Sequence, residues 1–283
     1  MTIDEPARIA EDDHPGTSSG GDQPASRAMC SLLGHSAPMG RLREQIIQAA
    51  RSDAPALIRG ETGTGKEMVA LAIHQESERR AGPFVKLSCM GAGNRLLEIE
   101  LFGERNRPRP GAIELARGGT LLLDEVSDLT SGVQARIARG MKGPLKWTGD
   151  RGVSPIGEVR VIATTNRDIR RDMLHRRFRK DLFSLLSATS IDVPPLRKRG
   201  QDIIELAEHF VRRYADEFGR ETGGLDDASL RRLVRYNWPG NVRELQNVIR
   251  SAILTCPSGQ PLASRLFVSL GTVRRSAKRR RKT

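Results

Sequence analysis

An apolar run at residues 56–58 feeds directly into Gly60-Glu61-Thr62-Gly63-Thr64-Gly65-Lys66, and an apolar helical face at Met68, Val69, Ala72 and Ile73 follows. A glycine-rich turn between a strand and a helix constrains this chain more than any other stretch of it. The glycines permit a tight turn whose N–H groups converge, and the first turn of the helix adds a partial positive charge. Lys66 supplies a point charge beside them. This is anion-binding chemistry, and the pattern G-x-x-x-x-G-K in a strand–turn–helix context predicts the phosphates of a nucleotide. The next position would carry Ser or Thr to hold Mg²⁺; here it is Glu67.

A second acidic element strengthens the expectation. Leu121-Leu122-Leu123 forms an apolar run that ends in Asp124-Glu125, about 60 residues beyond the lysine. An aspartate at the end of a buried strand can hold Mg²⁺, and the following glutamate can polarise a water aimed at a phosphate. A further apolar run, 159–163, ends in Thr164-Thr165-Asn166, which would bring an amide close to the same phosphate. Strand-like runs at 56–58, 84–87, 120–123 and 159–163 alternate with helical or loop stretches. The spacing predicts an α/β domain with a mainly parallel sheet and helices on both faces. After Val193-Pro194-Pro195 the strand signal stops and helical periodicity takes over at 203–218, 227–236 and 242–253, so a smaller helical domain is expected there.

Charge and composition set the remaining bounds. The chain has 283 residues and a net charge of +13, with three well-separated cysteines, Cys30, Cys89 and Cys256. That cysteine pattern argues against a disulfide scaffold and against a zinc site. No apolar stretch reaches the roughly 20 residues that span a bilayer, and the first residues lack a secretory signal. A cytoplasmic protein is expected. Residues 1–29 carry Asp4, Glu5, Glu11, Asp12, Asp13 and Asp22 against Arg8 and Arg27, and are rich in Ser, Gly and Pro. They read as a disordered acidic leader. Residues 264–283 carry eight bases and no acid, concentrated at Lys278-Arg279-Arg280-Arg281-Lys282. This basic tail reads equally as a phosphate-neutralising segment for DNA and as a solvated end. The domains expected are therefore 1–29 leader, 30–193 α/β nucleotide-binding domain, 194–262 helical lid and 263–283 tail.

Several motifs occur together and in order: GETGTGKE at 60–67, ELFGE at 100–104, GGTLLLDEV at 118–126, VRVIATTNRD at 159–168, FRKDLF at 178–183, PPLRKR at 194–199 and NWPGNVRELQN at 237–247. The stretch 33–262 resembles the AAA+ domain of bacterial sigma-54-dependent transcription activators. The resemblance implies a P-loop AAA+ sheet flanked by helices with a C-terminal helical lid, ATP and Mg²⁺ as ligands, and a ring of subunits, commonly six, that hydrolyses ATP and remodels sigma-54 polymerase. It places Gly60, Glu61, Thr62, Gly63, Thr64, Gly65, Lys66 and Glu67 on the phosphates, Asp124 on Mg²⁺ and Glu125 on the attacking water. Asn166 matches a first sensor and Arg243 a second. Arg179 matches an arginine offered to the neighbouring subunit's ATP, and Leu33-Gly34-His35-Ser36 resembles the lining of the adenine pocket.

The sequence departs from that pattern in three places. The Gly-Ala-Phe-Thr-Gly-Ala loop with which relatives grip sigma-54 is replaced by the shortened, Arg- and Pro-rich stretch 104–114. A second arginine offered in trans is replaced by Leu185, and a strand-end asparagine by Ser88. Three function classes follow: an ATP-hydrolysing AAA+ transcription regulator, a nucleotide-binding regulatory subunit with little ATPase activity, and a non-enzymatic nucleic-acid-binding protein on the same scaffold. The first is favoured.

Overall fold

The computed structural model describes residues 29, 32–91, 93–104, 110–142, 158–257 and 259–262. The acidic leader, the basic tail and the arginine-rich residues 105–109 lie outside them. In chain order the elements are α1 (Ala37–Ala50), β1 (Ala56–Arg59), α2 (Lys66–Gln75), β2 (Phe84–Ser88), α3 (Asn94–Phe102), α4 (Ala112–Leu115), β3 (Thr120–Asp124), α5 (Ser131–Lys142), β4 (Arg160–Thr165), α6 (Ile169–Leu174), α7 (Lys180–Leu186), β5 (Thr189–Asp192), α8 (Asp202–Phe218), α9 (Asp227–Arg235) and α10 (Asn241–Thr255). Short 3₁₀ turns at Val126–Asp128 and Leu196–Lys198 complete the set.

The five strands form one parallel sheet in the order β2-β3-β4-β1-β5. The central strands β3 and β4 are buried almost throughout, as near-continuous apolar runs in parallel sheets must be. Two apolar clusters cover the two faces. Leu57, Leu121, Leu123, Val161 and Ala163 pack with Leu97, Leu101, Val133 and Ile137 on one side. Ile58, Leu122, Ile162 and Ile191 pack with Leu42, Ile46, Val69 and Ile73 on the other. Alternate residues of β3 thus point to opposite faces, as the period of two requires.

The expected strands and helices are present, with shifted ends. β4 continues past Ala163 through Thr164 and Thr165, which are fully buried and remain in register with Ile58 and Arg59 of β1. β5 was not legible from hydrophobic pattern, because Ile191 is its one buried residue among Thr189, Ser190 and Asp192. It closes the edge beside β1 and delivers the chain to Val193-Pro194-Pro195.

Beyond those prolines a separate helical core forms around Trp238, which is fully buried among Phe210, Tyr214, Leu233, Leu245 and Ile249. Its indole N–H donates to Leu233 O at 2.8 Å, so burial leaves no orphaned donor there. No helix among the described residues is long and apolar enough to cross a membrane.

Candidate nucleotide site

Parallel sheets place ligands beyond the carboxyl ends of their strands. Here those ends bring together the loop after β1, the acids after β3 and the amide after β4. The loop turns at Gly63 (φ +79°) and Gly65 (φ +97°), left-handed values at which a side chain would be strained. A Cβ at Gly65 would meet nothing, so that position needs glycine for conformation and leaves open space above the start of α2. The amides of α2's first turn have no partner within the helix. Lys66, almost completely buried, reaches Gly60 O at 3.1 Å and Glu61 O at 3.4 Å, and pairs with Glu125 Oε1 at 3.0 Å.

One hydroxyl organises the two acids. Thr164 Oγ1 donates to Asp124 Oδ1 at 2.6 Å and accepts from Glu125 N–H at 3.0 Å. Glu125 has a left-handed backbone (φ +58°), a costly conformation for a residue with a Cβ. Its second oxygen accepts from Asn166 N–H at 2.8 Å. The Asn166 side chain turns the other way and donates to Thr62 Oγ1 at 2.8 Å. Lys66, Glu125, Asn166 and Thr62 are thus linked in one chain of contacts.

Glu67, at the position where Ser or Thr was expected, pairs with Lys86 Nζ at 2.6 Å, and Lys86 stands 4.0 Å from Asp124 Oδ2. Asp124 offers carboxylate oxygen at a strand end, the hard donor that Mg²⁺ prefers. Ser88 lies opposite Asp124 in the β2–β3 register, and its hydroxyl accepts from Met90 N–H at 3.4 Å. Cys89 follows, and burial, reinforced by the Asp124 charge, pushes its thiol up to about 12.

The helical lid closes over the loop through contacts that sequence reasoning missed. Asn241 is fully buried at φ +51°. It accepts from Leu196 N–H at 2.8 Å and donates to Glu61 Oε2 at 3.2 Å and Thr62 O at 3.1 Å. Arg197 forms a bidentate pair with Glu61 at 2.6 and 2.7 Å. The Arg197 guanidinium, with help from Asn241, holds the Glu61 carboxyl below its usual range. Arg199 is buried and donates to Thr64 O at 2.9 Å and Pro194 O at 3.0 Å; burial lowers its pKa to about 10. Arg243 donates its backbone N–H to Gly63 O at 3.3 Å, while its side chain stays exposed. No local spacing signals the pairings with the 61–64 loop, which join residues more than 130 positions apart.

The segment Leu33-Gly34-His35-Ser36 is tied to the lid as well. Asp202, at the start of α8, accepts from Ser36 Oγ at 2.6 Å and from the amides of His35 and Ser36 at 2.9 Å. Gly34 (φ +114°) allows that approach, since any Cβ there would collide with the Asp202 carboxylate.

Arg179 is not brought to this cluster. It caps α7, exposed, with its guanidinium in a bidentate pair with Asp181 at 2.9 and 2.8 Å. Its backbone N–H is fixed by the buried Gln134 side chain at 2.8 Å. Leu185, the residue in place of a second arginine, packs against the apolar core.

Residues 32–192 match the family described as the Sigma-54 interaction domain, and residues 197–283 match the AAA+ ATPase lid domain. The chain is 42% identical over 234 residues to the Nif-specific regulatory protein of Klebsiella pneumoniae, covering 80% of this chain and 44% of that protein. It is 42% identical over 236 residues to the sigma54-dependent transcriptional activator SfnR of Pseudomonas putida, covering 81% and 64%. Among solved structures, NtrX from Brucella abortus in complex with ATP superposes with a TM-score of 0.75 at 33% identity, covering 83% of this chain and 53% of that one. The chain spans about half the length of most of these relatives.

Proposed function

The chain belongs to the sigma-54 interaction domain family of AAA+ proteins, and from that premise we propose that it binds ATP with Mg²⁺ and hydrolyses it as an oligomeric, cytoplasmic transcription regulator. The observation that carries this reading is the convergence of Lys66, Asp124, Glu125 and Asn166 at the mouth of the glycine loop. Gly60 through Glu67 hold the phosphates, with α2's open amides and Lys66 as the cationic surface. Asp124 holds the metal, which when bound neutralises phosphate charge.

Glu125 serves as the base toward water. Both of its oxygens are engaged here, one by Lys66 and one by the Asn166 amide. Phosphate oxygens compete for Lys66, so filling the loop releases Oε1 to accept a proton. Asn166 and Arg243 sense the phosphates from the sheet and the lid. Leu33 through Ser36 border the base. Arg179 acts on a neighbouring subunit's ATP, for which it must leave Asp181; in analogous systems such an arginine contributes about 10³–10⁵ in rate. Sigma-54 polymerase is the expected partner of a ring, commonly a hexamer, and the basic tail is a DNA-binding element. The domain boundaries of this reading are 30–193 for the ATPase unit and 194–262 for the lid.

The test is ATP turnover measured across protein concentration, with and without sigma-54 holoenzyme. Glu125→Gln should retain ATP binding and lose turnover by at least 100-fold; unchanged turnover would show the assignment to be wrong. A second reading, a nucleotide-binding subunit with little turnover that joins a partner's ring, is supported by Leu185, which packs into the core where an arginine would act in trans. ATP binding without turnover at high protein concentration would favour it.

A further inference from the structure

A fully buried primary amide sits on α5, at a position where an apolar side chain would satisfy the packing. α5 and α7 meet in the cluster that holds Val133, Ile137, Leu182 and Leu186, and Gln134 lies within that contact. Burying an amide is costly unless its N–H and carbonyl groups are paired. Those of Gln134 are paired, and their partners are backbone groups. Nε2 donates to Leu129 O at 2.7 Å and to Arg177 O at 3.1 Å, and Oε1 accepts from Arg179 N–H at 2.8 Å.

Two distinct places are held by this one side chain. Leu129 closes the 3₁₀ turn Val126–Asp128 that leaves Glu125, where Asp128 N–H donates to Glu125 O at 3.0 Å and Leu129 N–H to Val126 O at 3.2 Å. Arg177 O and Arg179 N–H flank Phe178, which is buried in the apolar cluster. The amide thus pairs with residues 177 and 179 as a neighbouring strand would. Arg179 is extended there, at φ −77° and ψ 135°, just before α7 begins.

We propose that Gln134 is a positioning residue for Arg179. Its amide sets the backbone point from which that guanidinium reaches a neighbouring subunit's ATP, and ties the point to the turn after the subunit's own Glu125. The inference rests on the trans role proposed above for Arg179. A long side chain delivers its charge accurately only from a backbone that does not drift, and about 1 Å of misplacement costs about 10²-fold in rate. Methionine at 134 fills a similar volume without the amide. Glutamate keeps an acceptor for Arg179 but sets a carboxylate against Leu129 O and Arg177 O.

The experiment measures ATP turnover by the full chain, for single variants and for equal mixtures of two. Gln134→Met should lower kcat about 100-fold. The dilute chain's affinity for a fluorescent ATP analogue should stay within about two-fold of the parent's. Amide exchange at Arg179 should speed at least about ten-fold, with exchange in β3 and β4 unchanged. Glu125→Gln is silent in its own site but keeps Arg179, so mixing it with Gln134→Met rebuilds sites that have an intact glutamate on one side and an intact arginine on the other. In a head-to-tail ring that mixture should recover about one quarter of the parental turnover. Arg179→Ala mixed with Glu125→Gln is the reference and should recover as much. A glutamine that merely supported its own subunit's fold would not be complemented. If the Gln134→Met mixture stays silent while the reference mixture turns over, the proposal is overturned, as it is by parental turnover in Gln134→Met alone. Silence of both mixtures, or of the parent, removes the trans role of Arg179 and this inference with it. Where Gln134→Met does not fold, Gln134→Glu takes its place in every arm, with the same expectations.

Discussion

Replacing Asn241 tests how much one side chain adds to the lid's hold on the phosphate loop beside Arg197 and Arg199. Its side chain makes three hydrogen bonds, and the residue sits at φ +51°. Asn241→Ala leaves the amide of fully buried Leu196 without an acceptor, at a cost of about 1–3 kcal/mol. Glu61 and Thr62 are more open and recover water, so their loss adds little. Alanine is also worse than asparagine in a left-handed conformation, by about 1 kcal/mol. The sum is about 2–4 kcal/mol. Asn241→Gly loses the same hydrogen bonds but relaxes the backbone, so it should be less destabilising than alanine by about 1 kcal/mol. Buried Trp238 lies in the lid core and reports its unfolding by fluorescence in a urea titration. The diagnostic result is the order: parent above glycine above alanine, with nucleotide affinity falling in the same order. An alanine variant within about 0.5 kcal/mol of the parent would refute the side chain's share of that hold. Equal losses for glycine and alanine would refute the contribution of backbone strain.

Arg160 is buried in β4, donates one hydrogen bond to Ala49 O, and leaves Nε and Nη1 without partners. Arg160→Met should therefore raise the urea midpoint, by about 1–3 kcal/mol in stability, as apolar replacement of buried charge does elsewhere. Burial, with the Arg160 charge behind it, lowers the pKa of His74 from 6.5. The unfolded chain then takes up the proton first, so the stability contributed by neutral His74 is full above pH 6.5 and is lost as pH falls below it. The slope is at most about 1.4 kcal/mol per pH unit; His74→Gln should flatten the curve between pH 6.5 and 5 in thermal melts. Cys89, with its thiol pushed to about 12 and its side chain buried, should resist iodoacetamide at pH 8 in the native chain and react after unfolding, as read by peptide mass spectrometry.

The elements that were legible in the sequence are those whose chemistry is local. Gly63, Gly65 and Lys66 declare themselves because a loop around an anion needs left-handed residues and a cation within one turn of each other. Asp124-Glu125 shows because an apolar strand must precede it. β5 was not legible, since Thr189, Ser190 and Asp192 lie on an edge and are not required to be apolar. Thr164 and Thr165 appeared as the polar end of a strand, yet Thr164 is the group that orients both acids, a role visible only once β3 and β4 lie side by side. Arg197, Arg199 and Asn241 were passed over for the same reason. Their partners, Glu61, Thr62 and Thr64, lie on the far side of the domain boundary in sequence, and pairing over that separation leaves no periodic trace.

The carboxylate of Asp202 gathers three donors from Ser36 and His35, while its own backbone begins the long lid helix. That gives the molecule a mechanical shape. Tension on the chain just before Pro38 is delivered through one carboxylate to α8, which is packed from Ile203 to Tyr214 in the Trp238 core. The same stretch also reaches the sheet, because Met29 and Leu32 are buried in the cluster that packs Ile58, Leu122 and Ile162, and Arg43 of α1 donates to Leu32 O and Gly34 O at 2.6 Å. A tug from the amino-terminal side is thus shared between the lid, through Asp202, and one face of the sheet, through Leu32 and Met29.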